Sequence, residues 1–278
     1  MFFGNKLFTE YFWGMNQKVI ILSSVWVEPK SSAAGTRMLQ IIDLLKNQGY
    51  QIHYAATAAP SEFSFDLSTL DIQTHSIELN SKSFDVFIKN LNPDVVIFDR
   101  FMVEEQFGWR VLQQCPNAVR ILDTEDLHCL RNARQLAYKQ NKKFDINDLF
   151  SDHAKREVAS ILRCDLSLII SEFEMDLLLT TFKVPAHILF YLPFVTTLST
   201  PNFLKNKNFS QRKDFVCIGN FLHEPNWATV QIIKEKIWPE LRKKLPEASM
   251  QIYGAYPSQK VLQLHKPADR FYVNGRAE

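Results

Sequence analysis

The densest run of groups able to do chemistry is Asp123-Thr124-Glu125-Asp126-Leu127-His128, with Arg131 and Arg134 just beyond. Carboxylates and an imidazole packed this closely suit a network around sugar hydroxyls, or a general base. Asp, Glu and His also ligate metals, but no second ligand group stands nearby in sequence, so no metal is expected. The structural alternative is carboxylates that cap the following helix and pair with Arg131 and Arg134. Position favours function. The run follows an apolar strand over Ala118–Leu122, and open parallel sheets take ligands beyond the carboxyl ends of their strands. Glu125, Asp126 and His128 are therefore the catalytic candidates, and Asp123 and Arg131 the substrate-binding ones.

Two further loops carry weaker signals. Ser31-Ser32-Ala33-Ala34-Gly35-Thr36-Arg37 is rich in small residues that let a ligand approach the backbone. The N–H groups of a helix starting near Gly35 can hold an anion, to which Arg37 adds charge. The second loop is Gly219-Asn220-Phe221-Leu222-His223-Glu224-Pro225-Asn226. There Gly219 ends a strand, Pro225-Asn226 opens a long helix, and His223 can bond a phosphate or a hydroxyl. Ordinary capped loops would read the same way. Neither GxGxxG nor GxxxxGK[ST] is present, and no serine stands in GxSxG, so dinucleotide, P-loop and hydrolase signatures are missing. His53, His75, His153, His187 and His265 stand isolated and read as packing or surface residues.

The elements that must position these loops alternate regularly. Val19–Leu22 is an apolar run of strand length, and Gly35–Gly49 carries Met38, Ile41, Ile42 and Leu45 at helical spacing. Ile52–Thr57 follows as a strand, then Ile72–Ile77, a helix over Phe84–Leu91, the strand Asp94–Asp99 and a helix over Glu104–Gln114. Beyond the acidic run, the pattern predicts one long polar helix over Asp145–Arg163, a strand Asp165–Ile170, a helix Glu172–Phe182 capped by Ser171, and a last strand Ile188–Leu192. The polar stretch Thr196–Lys213 reads as a linker. After it come the strand Phe215–Ile218, a helix Asn226–Leu245, the strand Met250–Tyr253, a short helix Pro257–Leu264 and the strand Phe271–Val273. The fold class is α/β: a complete doubly wound, Rossmann-like unit over 18–195, a linker over 196–213, and the first half of a second such unit over 214–278. That second unit is half the usual size. Its outer strand is expected to lack a partner, and residues after about Asp214 to be poorly stable. Asp126 and His128 are expected to line the cleft between the units.

Composition narrows the function. The chain of 278 residues is 46% hydrophobic and 22% charged, which fits a packed core and excludes bulk disorder. The formal charge of +2 leaves no nucleic-acid footprint. Cys115, Cys129, Cys164 and Cys217 form no CxxC pair, which points to a reducing compartment and a cytoplasmic location. No apolar stretch approaches the roughly 18–20 residues a bilayer requires. In residues 1–14, Phe3, Leu7, Phe8, Tyr11 and Phe12 share a helical face. The polar face lacks the Lys/Arg cluster of a membrane-surface anchor, so residues 1–17 read as a disordered extension, with a peripheral anchor at the inner face of a membrane as the alternative.

Two segments carry a family resemblance. Phe215–Ser258, with Gly219, His223, Pro225-Asn226, Ile237-Trp238-Pro239, Pro246 and Gly254, resembles the opening of the C-terminal domain of group 1 (family 4-like) glycosyltransferases of the GT-B fold. Arg120–Arg134 resembles the acceptor-side segment of the same branch. The resemblance implies transfer of a sugar, with retention, from a nucleotide-sugar donor to an acceptor such as a cell-envelope glycan or a lipid-linked acceptor. It implies no catalytic metal and no cofactor beyond the nucleotide-sugar co-substrate. By position it places Gly35 near the diphosphate, Glu125–His128 near the reacting sugar and acceptor, and Gly219, Asn220 and His223 on the donor side. Two departures bear on activity. The basic residues that many relatives carry in the Gly219 loop are replaced by Asn220, Asn226 and Trp227, and the E-x7-E segment falls beyond Glu278. The resemblance thus implies a truncated transferase. A non-catalytic carbohydrate- or nucleotide-binding remnant and a GT-B nucleotide-sugar epimerase are the alternatives.

Overall fold

The computed structural model describes residues 17–195, 208, 210 and 212–276. The aromatic N-terminal face and nearly all of the 196–213 linker lie outside them. Two compact units separate: one runs up to Pro29 and from Ala34 to Val195, and the other takes in Lys30–Ala33 and the residues after Val195.

The first unit is built on a parallel sheet of β1 (Lys18–Ser23), β2 (Gln51–Ala56), β3 (Gln73–Ser76), β4 (Val95–Asp99), β5 (Val119–Asp123), β6 (Leu166–Ile169) and β7 (Leu189–Tyr191). The strand order is β3-β2-β1-β4-β5-β6-β7. From β1 the chain winds outward to β3, then returns to β4 on the other side of β1. The switch point therefore falls between β1 and β4, where such sheets open a crevice for ligands.

Alternate strand residues feed two cores. Ile20, Leu22, Val96, Phe98 and Leu122 pack under α2 (Lys82–Leu91), α3 (Phe101–Gln114), α4 (His128–Lys139), α5 (Asp152–Arg163) and α6 (Glu172–Thr180). Val19, Ile21, Ile52, Tyr54, Ile97 and Ile121 pack under α1 (Ala33–Asn47) through Met38, Ile41 and Ile42. A strand buried on both faces must be apolar throughout, which explains the unbroken runs at β1 and β4. Each such Val, Leu or Ile contributes about 1.5–3 kcal/mol relative to exposure.

The structure corrects two expectations. The long helix over Asp145–Arg163 is a 3-10 turn, Ile146–Leu149, followed by the separate helix α5. Two capping residues break it: Asp145 accepts from the Asn147 N–H, and Ser151 from the Ala154 N–H, each starting a new turn. In the second unit the helix expected over Asn226–Leu245 begins at Glu224 and is divided. It runs as α7 (Glu224–Ile232), a π-helical turn (Ile233–Ile237) and α8 (Trp238–Lys244). Pro239 is the cause, because it has no N–H for the carbonyl four residues back and its ring crowds that carbonyl.

The second unit pairs β8 (Phe215–Ile218), β9 (Met250–Tyr253) and β10 (Phe271–Gly275) in the parallel order β10-β9-β8, with α9 (Gln259–Leu262) between the last two. Its core joins Val230, Trp238 and Val261 from the helices to Met250, Ile252, Phe271 and Val273 from the sheet. On the opposite face of β8, Val216 and Ile218 are 67% and 70% exposed.

Candidate active site

The carboxyl ends of β1, β4 and β5 bring together groups far apart in sequence. At the switch point, Ser23 Oγ donates to Asp99 Oδ2 at 2.5 Å, and both residues are buried. Asp99 Oδ1 accepts no hydrogen bond and lies 3.4 Å from Arg100 Nε. Arg100 has φ 73° and ψ 154°, a region almost reserved for glycine, and its N–H donates to the Asp123 carbonyl at 2.8 Å. Two residues past β5, Glu125 also adopts a positive φ of 63°. Its Oε2 lies 3.8 Å from the Arg100 guanidinium, and its Oε1 is buried without a hydrogen bond. The β4 and β5 turns thus aim two incompletely bonded carboxyl groups, Asp99 and Glu125, around one arginine. Burial and the Asp99 charge push the Glu125 carboxyl up to about 8, against the pull of Arg100. A carboxyl raised in this way is suited to donate a proton to a ligand oxygen.

Beneath this pair lies a buried brace. Asp123 is fully buried and Arg37 is 1% exposed. Arg37 Nη2 and Nε donate to Asp123 Oδ1 at 2.8 and 3.0 Å, and Nη1 donates to the Leu192 carbonyl at 2.7 Å. The guanidinium faces the chain and ties α1 to β5 and the end of β7. Gly35, two residues earlier, sits where a Cβ would overlap the Glu28 backbone, so this close approach requires glycine.

The second half of the acidic run forms its own group. Arg131 Nη1 donates to both oxygens of Asp126 at 2.8 and 2.9 Å, and His128 Nε2 lies 3.5 Å from Asp126 Oδ1. The His128 ring meets Phe101 edge-on, with centroids 5.4 Å apart. Leu127 stands at the N-cap of α4 and has no side-chain acceptor to offer. Two buried glutamates from other helices take that part. Glu157 accepts from the N–H groups of His128 and Cys129 at 2.9 and 2.8 Å, and Glu174 accepts from Leu127 at 3.0 Å. Burial raises both carboxyl pKa values, while these N–H bonds oppose the rise.

In the second unit Gly219, Asn220 and His223 share one loop after β8. The Asn220 carbonyl accepts from Asn226 Nδ2 at 2.8 Å and from the His223 N–H at 3.2 Å, and Asn220 Oδ1 accepts from Leu222 at 2.9 Å. His223 is the N-cap residue of α7. A Cβ on Gly254 would overlap the Gly219 carbonyl and the Phe221 ring, so the β9 end and this loop are in direct backbone contact.

The sequence-derived candidates thus fall into four groups: Asp123 with Arg37, Glu125 with Arg100 and Asp99, Asp126 and His128 with Arg131, and the Gly219 loop. The sequence did not reveal Ser23, Asp99, Arg100, Glu157 and Glu174. Ser23 and Asp99 end their strands, and that position is their only sequence signal.

No protein-family model matches the chain, and no curated protein matches it. Solved structures do. The chain is similar to sucrose-phosphate synthase from Thermosynechococcus elongatus at 15% identity and a TM-score of 0.62, over 94% of this chain and 71% of that one. It is similar to a glycosyltransferase from Rickettsia africae at 13% identity and a TM-score of 0.58, over 95% and 69% of the two chains. It is also similar to a protein named as a UDP-N-acetylglucosamine 2-epimerase, from Listeria monocytogenes, at 12% identity and a TM-score of 0.52, over 95% and 70%. At these identities the likeness is one of fold, and the fold is GT-B-like.

Proposed function

We propose that this chain is a glycosyltransferase that moves a sugar, with retention, from a nucleotide-sugar donor to a hydroxyl of a glycan or lipid-linked acceptor, such as a cell-envelope glycan. The observation that carries the reading is the convergence of Ser23, Asp99, Arg100 and Glu125 at the switch point of a GT-B-like sheet, with two carboxyl oxygens lacking hydrogen-bond donors. Such oxygens suit the hydroxyls of a sugar. Residues Asp126 and His128 extend this acceptor side, Arg131 orients Asp126, and Arg37 with Asp123 holds the β5 end in place. The Gly219 loop, with Asn220 and His223, takes the donor side, while Gly35 lets the first turn of α1 pack on the Glu28 backbone. In the reaction the acceptor hydroxyl forms the new bond at the anomeric carbon. The nucleoside diphosphate leaves with the old bonding pair, and the hydroxyl proton passes to an oxygen in the site. Preorganised dipoles and cations that stabilise the departing diphosphate supply most of such a rate enhancement. The proposal needs no metal, and its setting is the cytoplasm or the inner face of a membrane. No helix among the described residues is long and apolar enough to cross a bilayer.

The likeness to the protein named as an epimerase favours a second reading, in which the same carboxyl groups move a proton on the donor sugar itself. One experiment separates the two. The purified chain is incubated with a panel of UDP- and other nucleotide-hexoses and a mixed glycan acceptor, and the products are resolved by chromatography. Transferred sugar with free nucleoside diphosphate supports the transferase. An epimerised nucleotide-sugar with no transfer overturns it, and so does an unchanged panel.

A further inference from the structure

A helix head with free N–H groups is a ready anion site. The head of α4 is closed from within. Its N–H groups at Leu127, His128 and Cys129 all donate to Glu174 and Glu157, which are 7% and 1% exposed. Around it, the guanidiniums at the carboxyl ends of β4 and β5 are already engaged. Arg37 is taken up by Asp123 and Arg131 by Asp126, which leaves Arg100 facing both Asp99 and Glu125. The buried polar atoms left without hydrogen bonds here are carboxyl oxygens: Asp99 Oδ1, Glu125 Oε1 and Glu174 Oε2. An anion brought here would meet the Asp99 carboxylate, with the guanidiniums of Arg37, Arg100 and Arg131 already facing carboxyl groups. A hydroxyl would find an acceptor in Asp99 and a donor or acceptor in Glu125.

We infer that the carboxyl ends of β4 and β5 take an uncharged, hydroxyl-bearing group, and that Glu157 and Glu174 keep the head of α4 closed to phosphate and carboxylate. The inference rests on the transferase reading and specifies the acceptor: its reacting part is a neutral sugar ring, without a uronic carboxylate or an adjacent phosphate. Glu157 and Glu174 are positioning residues, acting through the backbone that carries Glu125, Asp126 and His128.

The test uses the full chain labelled with nitrogen-15, and inorganic phosphate as the probe. In the native protein the Leu127, His128 and Cys129 amide signals stay fixed up to about 20 mM phosphate, after correction for a chloride control. In Glu157→Ala or Glu174→Ala the freed amide signals move saturably with phosphate, while signals from β1 and β2 stay in place. Either variant suffices if the other fails to fold. A saturable shift of these amides in the native chain overturns the inference, as does a folded variant whose amides ignore phosphate. This readout does not depend on turnover, so a chain that transfers no sugar refutes the transferase reading without touching it. Where transfer is observed, a neutral hexoside acceptor is used at least tenfold better in kcat/KM than its uronic counterpart. Equal use overturns the acceptor assignment.

Discussion

Replacing Arg37 by methionine separates a scaffold role from a ligand role. In the structure Arg37 donates to both oxygens of Asp123, at 2.8 to 3.1 Å, and to the Leu192 carbonyl at 2.7 Å. Methionine fills much of the volume but leaves the Asp123 carboxylate buried without its cation and the Leu192 carbonyl without its donor. Breaking a buried pair from one side costs about 3–5 kcal/mol. A domain of ordinary stability holds about 5–15 kcal/mol, so this loss is a large part of it. With a urea dependence of about 1–3 kcal/mol per molar, near the top of that range for a unit this large, the midpoint should fall by on the order of 1–2 M. The assay is urea unfolding of the full chain, read by amide exchange at Ile121–Asp123 so that the first unit is followed by itself. The double variant Arg37→Met/Asp123→Leu should recover much of the loss, because an apolar pair carries no stranded charge. If Arg37→Met costs less than about 1 kcal/mol and β5 keeps its protection, the scaffold argument fails and Arg37 returns to the ligand-binding candidates.

Three further outcomes follow from the same geometry. The Glu125 carboxyl is raised from 4.5 to about 8, so between those values the folded chain binds more protons than the unfolded one and stability falls as pH rises. Glu125→Gln should remove that part of the slope between pH 5 and pH 9 in urea midpoints, and an unchanged slope would refute the assignment. His53 Nδ1 and His75 Nε2 lie 3.1 Å apart across β2 and β3, and burial lowers both pKa values from 6.5, so stability held by the neutral pair is lost as pH falls below about 6.5. Amides of Thr74–Ser76, corrected for intrinsic rates, should exchange faster at pH 5 than at pH 7.5; equal protection would count against the pair. Gly254→Ala places a methyl on the Gly219 carbonyl and the Phe221 ring, which should cost about 1–3 kcal/mol in the second unit and weaken nucleotide-sugar binding; an unaltered melting curve and affinity would contradict the close contact.

Much of the architecture was legible because burial on two faces leaves a plain trace. Val19–Leu22 and Val95–Phe98 are apolar without interruption for that reason, and their flanking helices carry apolar residues at a 3.6-residue spacing. The helix α4 gave less signal, since its buried positions are largely small or polar: His128, Cys129, Leu130, Ala133 and Ala137. Boundaries near Asp145 and Ser151 were lost because caps compete with a continuous polar helical pattern. The acidic run after β5 was visible as a cluster, but its division into a buried half and an Arg131-bonded half was not. Asp99 and Ser23 are 76 residues apart, and only the order in which strands pair makes them neighbours. Glu157 is a carboxylate on a polar helix, and nothing in its local sequence tells that it turns inward to hold His128 and Cys129.

Under the proposed function, Asp99 and Glu125 meet the acceptor hydroxyl in a nucleotide-sugar-dependent transfer. The most direct measurement is single-turnover transfer of radiolabelled hexose from the preferred nucleotide-sugar, comparing the native chain with Asp99→Asn and Glu125→Gln at matched donor saturation. Transfer by the native chain is expected, with a loss of about 100-fold or more in each variant, within the roughly 10²–10⁴-fold typical of acid–base groups, and with donor affinity unchanged. Variants that transfer sugar at the native rate, or a native chain that transfers none, would contradict it.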